Sequence, residues 1–162
     1  METTKDRNIL IAVDESENSK RALLYVADFL GGFPGFKAII LSVIPVPDEG
    51  FFESAEIRHG WVESEKGKIS DILKRYRQIL IQSGFPEEKV KTELVVDEKT
   101  SVASAILEKQ KELDSCTVVV GRRGISKSEE FLFGSVSNRI IHMAYKCSVW
   151  VVELCAGNIL PQ

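Results

Sequence analysis

Three short stretches of this sequence carry residue types suited to holding an anionic ligand. Asp14 follows directly on an apolar run, in Ala12-Val13-Asp14-Glu15-Ser16. Gly121-Arg122-Arg123-Gly124 follows another such run, and after a nine-residue gap Gly134-Ser135 opens a helical pattern ending in Val136-Ser137 and beyond. Gly121 and Gly124 let a backbone come close to an anion and adopt positive φ where a turn needs it. Gly134 and Ser135 put N–H groups at a helix start, where the dipole favours negative charge. The Ser135 hydroxyl can donate to a phosphate, and Arg122, Arg123 and Lys127 add positive charge nearby. Asp14 can accept from a ribose hydroxyl or a base amino group. Taken singly, each feature has a plainer reading: G-x-x-G marks turns, and Asp or Ser after a strand commonly caps the next helix.

Other chemistries find little footing. Gly60 and Gly67-Lys68-Ile69 depart from a phosphate-binding Walker loop, because the gap is six residues and Ile69 replaces the hydroxyl residue. No G-x-G-x-x-G follows a strand. His59 and His142 are far apart and have no metal-ligand spacing to cysteines; His142 reads as structural. No nucleophile–base pair is visible, so no catalytic residue and no metal ligand is assigned, and a slow ATPase is the most that catalysis could amount to. Cys116, Cys147 and Cys155 form no C-x-x-C pair and are odd in number, which argues against a disulfide framework and for a reducing compartment. Cys116 and Cys147, opening two apolar runs, read as small buried hydrophobes.

Five short runs rich in β-branched residues must position these groups: Ile9 to Val13, Ala38 to Ile44, Val90 to Val96, Thr117 to Val120 and Val149 to Val152. The first, second, fourth and fifth are nearly continuous, as in strands buried on both faces; the third alternates, as an edge strand does. Helical stripes lie between them. Leu23, Val26, Ala27 and Leu30 follow the cap candidates Ser16 and Asn18. Ile69, Ile72, Leu73, Tyr76 and Leu80 form a longer stripe, stopped by Ser83-Gly84-Phe85-Pro86. Val102, Ala105, Ile106 and Leu113 follow Thr100 and Ser101, and Val136, Ile140, Met143 and Ala144 follow Ser135. The order βαβαβαβαβ predicts one α/β domain over residues 1–162, an open five-stranded parallel sheet with helices on both faces. Ligands of such sheets bind outside the carboxyl ends of the strands, where strand order reverses. Asp14 and the glycine loop face each other there if the first and fourth strands are neighbours. Pro45 to about Gly60 fits no element and reads either as a surface loop or, given Phe51 and Phe52, as one that folds over a ligand.

The 162 residues are 44% hydrophobic and 28% charged, with 21 basic and 24 acidic residues and a net charge of -3. That composition excludes disorder and lacks the basic excess of a nucleic-acid binder. No apolar stretch is long enough to span a bilayer, and Met1 to Asn8 does not read as a secretion signal. The expectation is a cytoplasmic protein without nucleic-acid or membrane partners.

Ile9 to Ser16, the Val118 to Gly124 run, the G-x-x-G-x9-G-S spacing, Gly134-Ser135-Val136-Ser137 and Cys147 to Val152 together resemble the universal stress protein family over essentially the whole chain. The resemblance implies a Rossmann-like sheet ordered 3-2-1-4-5 and, in the subset with the glycine motif, ATP binding, with Mg²⁺ accompanying the phosphates. By matching positions, Asp14 would contact the adenosine, with Ala12 and Val13 beside it, although proline often stands where Ala12 does. Val43 would touch the adenine, Gly121, Arg122 and Gly124 would line the phosphate loop, and Gly134, Ser135 and Val136 would hold the phosphates. Family members usually form homodimers, often through strand five, here Ser148 to Glu153. Glu129 and Glu130 depart from the pattern: two carboxylates facing a triphosphate repel it unless they point outward or share Mg²⁺. They motivate the alternative of an interaction module that works through its dimer surface without a nucleotide.

Overall fold

The five apolar runs become strands β1 (Arg7–Ala12), β2 (Phe36–Pro45), β3 (Val90–Asp97), β4 (Ser115–Gly121) and β5 (Ser148–Val152). They alternate with helices α1 (Glu17–Leu30), α2 (Ala55–Gln82), α3 (Val102–Glu112) and α4 (Ser135–Met143). The computed structural model describes residues 5–98, 101–122 and 135–153. All strand pairings are parallel and the order is β3-β2-β1-β4-β5, as expected.

The sheet separates two apolar cores. Ile9, Ile11 and Val119 join Ala22, Leu23 and Val26 of α1 and Leu73, Tyr76 and Leu80 of α2. Leu10, Val118 and Val120 join Ile106 and Leu107 of α3 and Ile140 of α4 on the other side. A run buried on both faces must be apolar at every position, which is why β1, β2 and β4 read as continuous. Fully buried side chains such as Leu10, Ile11 and Ile40 each stabilise the fold by about 1.5–3 kcal/mol.

Serines cap three helices: the Ser16, Ser54 and Ser101 hydroxyls accept from Ser19, Ile57 and Ser104 N–H at 3.3, 3.2 and 3.2 Å. Gly84 follows α2 at φ 117°, where an added Cβ would meet the Gly32 nitrogen at 2.6 Å, so the turn after α2, which packs on the end of α1, needs glycine twice over.

Four expectations change. Helix α2 starts at Ala55, so most of the segment from Pro45 to Gly60 is a strand end, a short 3-10 turn at Glu49–Phe51 and a helix start. Strand β5 is half-exposed, not buried on both faces, because it is the outer strand of the sheet. Cys116 is exposed and Cys147 half-buried; the first sits at a bulge, where Asn8 pairs with Ser115 and Ile9 with Thr117. Met143 is exposed, so the expected stripe keeps Val136, Ile140 and Ala144, with Ser137 buried beside them.

Candidate functional site

The chain leaves β1 in one direction for β2 and β3 and returns to its other side for β4, so β1 and β4 flank the reversal of strand order. Asp14 stands at that point, exposed, two residues beyond β1. Its Oδ1 accepts from the Ser16 N–H at 2.8 Å and from the Ser19 hydroxyl at 2.7 Å, while its own N–H donates to Ser19 Oγ at 2.9 Å. The side chain is thus fixed by the first turn of α1, whose dipole favours the carboxylate. The sequence marked Ser16 as a cap, which it is, but not as a donor to Asp14, and it did not mark Ser19; the spacing Asp14, Ser16, Ser19 is the signal that could have found this arrangement.

Gly121 closes β4 against the same helix start. A Cβ there would collide with the carbonyl group of Asn18 and come within 2.9 Å of the Ser19 nitrogen. Its lack of a side chain is what lets α1 begin directly over the β1–β4 boundary. Arg122 follows, its N–H bonded to Val152 O at 2.9 Å and its guanidinium paired with the Glu153 carboxylate.

Ala12, Val43 and Val136 are half-buried and pack on the same apolar core. They lie on one side of the sheet, on β1, on β2 and in the first turn of α4. Val13 does not join them: its side chain is buried in the opposite core, with its N–H bonded to Leu41 O at 2.8 Å. Ser135 is the exposed first residue of α4. Gly124 and Gly134, together with Arg123, Lys127, Glu129 and Glu130, lie outside the described residues.

Beneath Asp14, burial pushes the Tyr76 hydroxyl pKa above its ordinary value; Glu17 and Asp14 add to the rise and Arg75 opposes it. On α2, Glu65 accepts from the Lys68 ammonium at 2.8 Å and raises its pKa, and the charge of Glu15, next to Asp14, adds to this. Lys68 therefore serves as a surface cation near the rim, in a helix and not in a phosphate loop.

A separate cleft of about 650 Å³ lies where the end of β3 meets the start of α2, lined by Phe52, Arg58, His59, Lys66, Val96 and Glu98 among others. Phe52 is held there by Trp61, ring centroids 5.8 Å apart. Four of the cleft's charges form two ion pairs: Arg58 pairs with Glu98 at 3.3 Å and Lys66 with Glu63 at 3.1 Å, while Glu49 also lines it. It does not include Asp14, Gly121 or Ser135. No helix among the described residues is long and apolar enough to cross a membrane.

Residues 6–153 match the model of the universal stress protein family. A Staphylococcus saprophyticus protein that carries the universal stress protein name is 27% identical over 150 residues, covering 91% of this chain and 83% of that protein. Among solved structures, a universal stress protein in complex with cAMP superimposes with a TM-score of 0.67 at 22% identity, over 91% of this chain and 97% of its own. The universal stress protein from Archaeoglobus fulgidus in complex with dAMP gives 0.60 at 20% identity, over 93% and 100%. At those identities the structural likeness bears on the fold alone, whereas the family match spans the sheet from first strand to last. This chain belongs to the universal stress protein family.

Proposed function

We propose that this protein binds an adenine nucleotide, ATP with Mg²⁺, at the carboxyl ends of β1 and β4, and acts in a stress response as a regulatory homodimer joined through β5. The observation that carries the reading is Asp14, an acceptor fixed by Ser16 and Ser19 at the reversal of strand order. Gly121 alongside lets α1 and β4 meet there. The half-buried faces of Ala12, Val43 and Val136 suit a flat apolar base, and Asp14 suits a ribose hydroxyl. Ser135 at the start of α4 suits a phosphate, with Gly124 and Gly134 completing the loop. When bound, Mg²⁺ neutralises phosphate charge, which is what a loop carrying Glu129 and Glu130 requires. Two family structures hold cAMP and dAMP, which supports adenine as the recognised base.

The β5 edge supports the homodimer. Tyr25 and Phe29 stack at 5.6 Å and both meet Trp150 of β5 edge-on, at 6.3 and 5.9 Å, yet are 41% and 54% exposed. An aromatic cluster beside an outer strand is the kind of surface a second copy covers.

One observation favours the alternative, an interaction module without nucleotide: the Arg122 guanidinium is engaged by Glu153. Calorimetry with ATP, ADP, AMP and cAMP, with Mg²⁺, separates the two. Saturable binding of ATP supports the first reading, and no heat with any of them supports the second. In sedimentation, Trp150→Ala should shift a dimer towards monomer; an unchanged dimer places the interface elsewhere.

A further inference from the structure

The opposite end of the sheet carries a feature that the nucleotide site does not use. Strands β4 and β5 pair from Thr117 with Ser148 onward. One step earlier in the same register stand Cys116 and Cys147, each immediately before that first pair. Adjacent strands run ~4.8 Å apart, and a disulfide needs Cα atoms about 4.4–6.8 Å apart. Continuing the register by one step sets the two Cα atoms within the range that a disulfide spans. At present the Cys116 sulfur sits 3.5 Å from Asn8 O and 3.6 Å from Thr117 Oγ1. Forming the disulfide requires the Cys116 side chain to leave these contacts. The bulge at Cys116 frees that residue from pairing with β1 and gives it the latitude to turn.

The two cysteines differ in the way a reactive and a resolving thiol differ. Cys116 is exposed, so a small oxidant reaches it. Cys147 is half-buried against the α3–α4 core. Burial pushes the Cys147 thiol pKa up, a backbone hydrogen bond at Tyr145 opposes this, and Cys116 adds to the rise.

We propose that Cys116 and Cys147 form a redox modification site, in which a hydroperoxide converts the pair into an intrachain disulfide linking the starts of β4 and β5. The Cys116 sulfur attacks the peroxide, the O–O bond breaks, and an alcohol or water leaves, giving a sulfenic acid at Cys116. The Cys147 sulfur then displaces the sulfenic hydroxyl, forming the S–S bond and releasing water. The thiols lose two electrons and both thiol hydrogens; the peroxide is reduced. In a reducing compartment the bond is transient and is reversed by dithiol exchange.

The test uses the full chain in a Cys155→Ser background, treated with hydrogen peroxide, then alkylated and mapped by mass spectrometry. The expected result is a dithiothreitol-reversible linkage between the Cys116 and Cys147 peptides within one chain. In Cys147→Ser, Cys116 should stop at the sulfenic acid and be trapped by dimedone, with circular dichroism showing that the variant is folded. Two free thiols after oxidation, a linkage between chains, or a Cys116 sulfenic acid that persists equally with Cys147 present would each overturn the proposal.

Discussion

Two places on the carboxyl rim of the sheet invite a ligand, and they differ in what their charges are doing. In the cleft between β3 and α2, Arg58 and Lys66 already answer Glu98 and Glu63. At the β1–β4 boundary, Asp14 is fixed by neutral donors, a backbone N–H and a serine hydroxyl. The Asp14 carboxylate is oriented by backbone and hydroxyl donors at the reversal of strand order, whereas the cleft is bordered by side-chain ion pairs. The β1–β4 boundary is the stronger candidate, because ligands of open parallel sheets bind where strand order reverses.

The contrast is sharpest in the glycines of the two regions. Gly121→Ala should have the largest effect, because the new methyl meets the Asn18 backbone. Overpacking of that kind costs about 1–3 kcal/mol and displaces the turn that holds Asp14, so both thermal stability and ATP binding should fall. The same change at Gly60 in α2, where a Cβ meets nothing within 4 Å, should stabilise by about 0.5–1 kcal/mol through helix propensity. A Gly121→Ala protein of unchanged melting temperature would mean that α1 and β4 do not meet as closely as described.

Ser135→Glu separates binding from folding. The residue is exposed at the first turn of α4, where a carboxylate suits the helix dipole, so the melting temperature should hold or rise slightly. ATP binding should be lost through repulsion of the phosphates, and retained affinity would remove Ser135 from the site. The smallest effect concerns Tyr76. Its pKa in the folded protein is raised above the ordinary 10.0, so the folded state favours the neutral phenol. That contribution is intact below pH about 10 and is lost as pH rises through the folded value. Denaturant titrations of Tyr76→Phe should show a shallower loss of stability on the alkaline side; an identical slope would mean that Tyr76 ionises without penalty.

The sequence disclosed what packing makes periodic. Strands β1, β2 and β4 were legible because both faces are buried, and α1 because Ala22, Leu23, Val26 and Leu30 line one side. Helix α2 was legible only in its second half, since its buried residues, Ile69, Leu73, Tyr76 and Leu80, all lie there. Its first half, starting at Ala55, holds no fully buried residue and packs on the core through the half-buried Trp61, so no apolar stripe announces it and only the Ser54 cap does. Strand β5 misled in the other direction: its unbroken apolar run reads as buried on both faces, yet it is the outer strand and half-exposed. Asp14 and Gly121 were found by their places after strands. Ser19 was not, because a serine in a first helical turn carries no signal until the Asp14 carboxylate is seen above it.

The most direct test is calorimetric titration of ATP with Mg²⁺ into the wild-type chain and into Asp14→Ala, with Arg58→Ala as the control from the other hollow. A charge-assisted hydrogen bond contributes about 1.5–3 kcal/mol, so Asp14→Ala should bind at least about tenfold more weakly. Arg58→Ala should match the wild type. Equal affinity in Asp14→Ala and wild type, or a loss confined to Arg58→Ala, would contradict a nucleotide site at the ends of β1 and β4.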